Sequence, residues 1–255
     1  MNNQQLPGFK IIIPARYAST RFPGKPLVEI AGKTMLQHTW ECARKSSASE
    51  IIIATDDDRI YAIARQFGAE VCMTDAGHPT GTDRLGEVCR KYSWHDDDIV
   101  VNLQGDEPLT PNSILQQVAM NLAIHTQAGM ATLSTPILTV IDVLNPNVVK
   151  VVTDKSGFAL YFSRAPIPWD RDSGAVISEQ QASVYQRHLG IYAYRVGFLR
   201  NYGQLKSCVL EQLEKLEQLR ALYNGVAIHV DIAHELPGPG IDTPEDMEKL
   251  RTLLG

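Results

Sequence analysis

Short apolar, β-branched runs alternate with segments of helical period through the first half of the chain. The runs fall at Phe9–Ala15, Glu50–Thr55, Glu70–Met73, Ile99–Leu103 and Met130–Ile137, and the helical patterns at Met35–Lys45, Asp58–Phe67, Thr82–Tyr92 and Asn112–Ile124. This alternation predicts an α/β fold, a mostly parallel sheet flanked by helices. Ile51-Ile52-Ile53-Ala54 is apolar at every position, as a strand covered on both faces requires.

After residue 137 the pattern changes. Val148–Thr153 and Phe158–Arg164 flank Asp154-Lys155-Ser156-Gly157, whose composition predicts a hairpin turn, and a third strand-like run follows at Tyr185–Arg195. We read a smaller antiparallel lobe over about residues 137–208, within one domain spanning 1–255. Trp169–Ala182, polar and carrying Gly174, predicts a mobile loop. Val226–Ile232 predicts a last strand, Pro-Gly-Pro-Gly at 237–240 a turn, and Asp242-Thr243-Pro244-Glu245 the start of a closing helix. Leu210, Leu213, Leu216, Leu219 and Leu222 recur every three residues. A helix advances about 100° per residue, so these leucines sweep most of the way round it. Either the helix breaks near Lys215 or it is covered on two sides.

Composition narrows the function. A chain of 255 residues buries a substantial core. The net charge of −5 argues against a sequence-independent nucleic-acid binder, which needs clustered cations. Cys42, Cys72, Cys89 and Cys208 form no C-x-x-C pair and predict free thiols. Met1–Lys10 is polar and leads into a short apolar run closed by Pro14, unlike a signal peptide or a spanning helix of about 20 apolar residues. The expectation is a soluble, cytoplasmic protein that contacts neither membrane nor nucleic acid.

Two loops carry the chemistry. The strand ending at Ala15 runs into Arg16, Arg21 and Lys25, stiffened by Pro23-Gly24-Lys25-Pro26. In an open α/β sheet ligands sit beyond the carboxyl ends of the strands, so these cations face a bound phosphate chain, most naturally a nucleotide triphosphate. Neither G-x-G-x-x-G nor a P-loop pattern is present, so side chains rather than a glycine nest supply the charge. In Val100-Val101-Asn102-Leu103-Gln104-Gly105-Asp106-Glu107-Pro108 a carboxylate stands just past another strand, and Asp106 reads as a Mg²⁺ ligand, because Mg²⁺ takes hard oxygen donors. Asp242 is a candidate second ligand, although from the residues alone it reads as the N-cap of the final helix.

The run Pro14-Ala15-Arg16-Tyr17-Ala18-Ser19-Thr20-Arg21-Phe22-Pro23-Gly24-Lys25-Pro26-Leu27, with the Q-G-D-E-P segment at 104–108 and G-I-D-T-P-E-D at 240–246, resembles the 3-deoxy-manno-octulosonate (Kdo) cytidylyltransferases. The resemblance covers nearly the whole chain from about residue 9. It implies a nucleotidyltransferase-like fold, transfer of CMP from CTP to Kdo with release of pyrophosphate, a homodimer, and Asp106 and Asp242 as the metal pair. It implies Arg16, Lys25 and Asp106 as catalytic groups. Thr80-Gly81-Thr82-Asp83-Arg84 is similar to the family's S-G-T-E-R segment, which lies against the cytosine. Read alone, the segment fits a Thr-capped helix start equally well. Arg164 and His188 match positions that contact Kdo, with Glu211 and Gln212 as further candidates for its hydroxyls. Arg21, Gln104 and Tyr192 complete the expected substrate contacts.

Overall fold

The structure, a computed structural model, describes residues 8–18, 22–172, 174, 177–238 and 246–247. In chain order the elements are β1 (Phe9–Ala15), β2 (Glu29–Ile30), β3 (Lys33–Thr34), α1 (Met35–Arg44), β4 (Glu50–Thr55), α2 (Asp58–Gln66), β5 (Glu70–Met73), α3 (Gly81–Lys91), β6 (Ile99–Asn102), α4 (Asn112–Ile124) and β7 (Met130–Pro136). Then come α5 (Val140–Leu144), β8 (Lys150–Thr153), β9 (Ala159–Ser163), α6 (Glu179–Ala182), β10 (Gln186–Arg195), α7 (Val196–Asn201), α8 (Val209–Glu214), α9 (Gln218–Tyr223) and β11 (Ile228–Ile232).

Among the described residues nine strands form one mixed sheet, seven of them in the order β11-β7-β10-β6-β1-β4-β5 with β8 and β9 branching from β10, and β2 and β3 form a small antiparallel pair. β6, β1, β4 and β5 run parallel, so the residues after them gather at one edge: Gln104–Asp106 after β6, Arg16 after β1 and Asp56 after β4. Both faces are covered, as the unbroken apolar strands require. Ile11 and Ile13 pack with Leu36, Trp40 and Leu115 on one face, whereas Ile12 packs with Leu85, Val88 and Leu199 on the other.

The antiparallel lobe is continuous with the main sheet. Its hairpin, β8 and β9, turns at Asp154–Gly157 and pairs with the first residues of β10. The rest of β10 runs between β6 and β7 in the middle of the sheet. Its register shifts between His188 and Tyr192, around Gly190 at φ +77°. Such a bulge bends a strand and re-aims its side chains. The leucine ladder breaks at Lys215, which takes the left-handed conformation at φ +53°, and so separates α8 from α9. Leu216 and Leu219 are buried, whereas Leu213 is 77 % exposed. All four cysteines are free thiols. No helix among the described residues is long and apolar enough to cross a membrane.

Candidate active site

The cationic loop is braced at its base. Gly24 occupies the left-handed region at φ +73° and donates its N–H to the Tyr17 carbonyl at 2.9 Å. A Cβ at Gly24 would stand 3.2 Å from the Tyr17 ring, whose other contact is the Arg59 guanidinium, 3.3 Å from the ring centroid. This turn delivers Lys25, only 8 % exposed, to Asp106, and the ammonium lies 2.5 Å from Oδ2. Asp106 is held from below, because Thr39 donates to the Gly105 carbonyl at 3.1 Å and a Cβ at Gly105 would press on the Pro14 carbonyl. Arg16 donates to the carbonyls of His78 and Thr80 at 2.9 and 3.0 Å. Burial and the neighbouring Arg84 lower its pKa, yet a guanidinium stays charged. Arg21 and Asp242 lie outside the described residues.

The loop that Arg16 holds is itself fastened by Glu87 on α3. Burial opposes ionisation of this carboxyl, but hydrogen bonds from Lys91 at 2.6 Å, from the Asp75 N–H at 2.8 Å and from His78 outweigh it and hold the pKa at about 2. A folded-state pKa below the unfolded value means that the stabilisation is present above the unfolded pKa and is lost as pH falls towards the folded one. Wild type is therefore expected to exceed Glu87→Gln in urea resistance near neutrality, with the gap closing between about pH 5 and pH 2. A gap independent of pH would contradict this anchoring role.

At the end of β6, where Gln104 stands two residues before Asp106, lies a cavity of about 340 Å³. Gly81 and Thr82 from the first turn of α3, Gln104, and His188 and Tyr192 from the bulged β10 contribute to its wall. Thr80 caps α3, accepting from the Asp83 N–H at 3.2 Å, so the capping role and a place beside the cavity coexist. Burial lowers the His188 pKa to about 3, and the ring is neutral near pH 7. It packs against Thr132, with Nε2 3.0 Å from the hydroxyl. Glu217 opens onto the cavity from the break between α8 and α9, receiving a hydrogen bond from Thr82 at 2.9 Å. Crowding by protein raises its pKa despite the hydrogen bonds from Thr82 and Thr80.

Residues 10–231 match the sequence profile of the family described as Cytidylyltransferase. The 3-deoxy-manno-octulosonate cytidylyltransferase of Thioalkalivibrio sulfidiphilus is 56 % identical over 246 residues, covering 96 % of this chain and 98 % of that protein. The chain belongs to the 3-deoxy-manno-octulosonate cytidylyltransferase family. The Aeromonas hydrophila protein of the same name is 57 % identical over 250 residues, with the same coverage of 96 % and 98 %. A solved structure of CMP:2-keto-3-deoxy-manno-octonic acid synthetase complexed with CTP superposes at a TM-score of 0.86 with 41 % identity, covering 97 % of this chain and 98 % of that one.

Of the four residues expected against Kdo, His188 lines the cavity and three, Arg164, Glu211 and Gln212, do not. The Arg164 guanidinium donates to the carbonyls of Glu214 and Pro146 at 2.6 and 2.9 Å. Glu211 is engaged by Arg220 at 2.6 Å and by Ser207 at 3.0 Å, and Gln212 is exposed, reaching Ser207 at 3.4 Å. The tetrapeptide Leu-Glu-Gln-Leu occurs twice, at 210–213 and 216–219, and the fold brings the second copy, Glu217 and Gln218, to the cavity. That duplication was the sequence signal for the right register. Asn102, Tyr194 and Tyr202 also line the cavity and were not expected from the pattern.

Proposed function

We propose that this cytidylyltransferase works as a Mg²⁺-dependent homodimer in the cytoplasm, where CTP is available, moving CMP from CTP to the 2-hydroxyl of Kdo and releasing pyrophosphate. The product, CMP-Kdo, is the activated sugar for lipopolysaccharide assembly. The observation that carries this reading is the Lys25–Asp106 contact at the sheet edge, where the cationic loop meets a carboxylate two residues beyond Gln104 of the cavity wall.

In this reading the hydroxyl attacks the α-phosphorus in line, the bond to the β-phosphate oxygen breaks, and pyrophosphate leaves. Arg16, Arg21 and Lys25 bind the triphosphate, and Lys25 lies where charge builds on the leaving group. Their contribution is positioning and electrostatics, so no covalent nucleophile is needed. Asp106 fits a divalent cation, since its hard oxygen already accepts the Lys25 ammonium, and Asp242 is the family's second ligand. Asp106 and Asp242 would hold Mg²⁺, which would supply neutralising charge and would acidify the attacking hydroxyl. Gly81 and Thr82 face the base, while His188, Tyr192, Glu217 and Gln218 offer hydrogen-bonding groups to the sugar acid. Arg164 ties the lobe to the α8–α9 break through the Glu214 carbonyl and supports that wall from behind. Leu138 and Ile141, both more than three-quarters exposed on or before α5, together with Val184, give the lobe an apolar face suited to a second copy of the chain.

The purified chain is expected to release pyrophosphate from CTP only when Kdo is present, to stop when EDTA removes divalent ions, and to resume on added Mg²⁺. CTP binding without pyrophosphate release would mark a nucleotide-binding regulator instead, and turnover that persists in EDTA would remove the metal from the reading.

A further inference from the structure

Four residues that line the cavity each carry a buried polar atom with no hydrogen-bond partner among the described residues: Asn102 Oδ1, Tyr192 OH, Tyr202 OH and Gln218 Nε2. Buried polar atoms are nearly always paired, so a convergent set of unpaired ones points to a guest that pairs them. Asn102 is distinct within this set. It is the last residue of β6, 6 % exposed, and its backbone is locked between β1 and β10 by Asn102↔Ile12 and Asn102↔Tyr192 pairing. The Tyr194 phenol lies within reach of both its amide and Thr82. Asn102 Oδ1 has no partner, so its carbonyl oxygen is an acceptor left for a guest.

We propose that Asn102 is a specificity-determining residue whose Oδ1 accepts a hydrogen bond from a non-reacting hydroxyl of the sugar acid, with Tyr194 as the positioning residue that sets the amide. This rests on the Kdo-transfer reading above. The chemistry narrows the donor. A carboxylate and a phosphate chain offer only acceptors, so a fixed carbonyl-type oxygen selects against them and for a hydroxyl. The other unpaired atoms come from three further places, β10, the segment after α7, and α9, and that many-sided polar wall matches a polyhydroxylated guest. A site built to accept from a hydroxyl also disfavours an analogue that lacks it, because the acceptor then stays buried and unpaired.

The test is a cycle between Asn102→Ala and a set of deoxy analogues of Kdo, each lacking one non-reacting hydroxyl. With Kdo, the variant is expected to raise KM for the sugar acid about 5- to 50-fold while kcat changes less than about threefold and calorimetric CTP affinity changes less than about twofold. With the one analogue that lacks the hydroxyl read by Oδ1, wild type and variant should differ by less than about twofold. A penalty equal on every analogue, beside a wild type that turns over normally, overturns the assignment and makes Asn102 structural. Weakened CTP binding with KM for Kdo unaltered also overturns it, because the donor would then belong to the nucleotide. A wild type that releases no pyrophosphate with CTP and Kdo sinks the functional reading itself, and this assignment with it. Asn102→Ser, smaller but able to keep an acceptor and pair with Tyr194, provides the same comparison if the alanine variant does not fold, which thermal unfolding reveals.

Discussion

Asp106→Asn is expected to lower turnover by about a thousandfold or more while leaving CTP affinity within roughly tenfold of wild type. The substitution keeps the size of the side chain and its place past β6, where Thr39 still holds the Gly105 carbonyl, so the loop has no reason to refold. What it removes is the charge that pairs with Lys25 at 2.5 Å and that gives the sheet edge its hard anionic donor. In the proposed site CTP would still be held by Arg16, Arg21 and Lys25 and by the first turn of α3. A dissociation constant measured by calorimetry, beside single-turnover rates, separates the two effects. Near wild-type turnover at saturating Mg²⁺ would show that Asp106 is no part of the reacting centre.

Lys25→Ala is expected to reduce kcat by about 10²- to 10³-fold, with a smaller change in CTP binding. Lys25 is nearly buried, fixed by a left-handed glycine on one side and by Asp106 on the other, so its ammonium is preorganised rather than recruited. Preorganised charge contributes most where charge develops, and that is on the departing pyrophosphate. Arg16 cannot substitute, because it is tethered to the carbonyls of His78 and Thr80. A defect confined to KM for CTP would mean that Lys25 acts only on the ground state.

The parts of this account that were legible in the sequence are those fixed locally. The strands Phe9–Ala15, Glu50–Thr55 and Glu70–Met73 fall where β-branched runs and helical period alternate, and that alternation also places Arg16 and Asp106 at one edge. The middle of the sheet was not legible. Tyr185–Arg195 read as part of a side lobe, but β10 runs between β6 and β7, because strand order depends on contacts far apart in sequence. The bulge at Gly190, which turns His188 and Tyr192 to the cavity, is likewise set by pairing rather than by composition. Burial was invisible too. His188 was expected beside the sugar acid and lines the cavity, and desolvation there lowers its pKa. Glu211 and Gln212 were the candidates for the sugar hydroxyls, but Leu-Glu-Gln-Leu recurs at 216–219 and the two copies are locally indistinguishable. Only the left-handed turn at Lys215 brings the second copy to the cavity and leaves the first to Arg220 and solvent.

If one edge of this sheet joins CTP to Kdo, pyrophosphate release measured for CTP, UTP, ATP and GTP against Kdo, a sialic acid and an amino analogue of Kdo will be fastest for CTP with Kdo. The value of kcat/KM is expected to fall on any change of base or sugar acid. Preference for another nucleotide, or a sialic acid outcompeting Kdo, would contradict it.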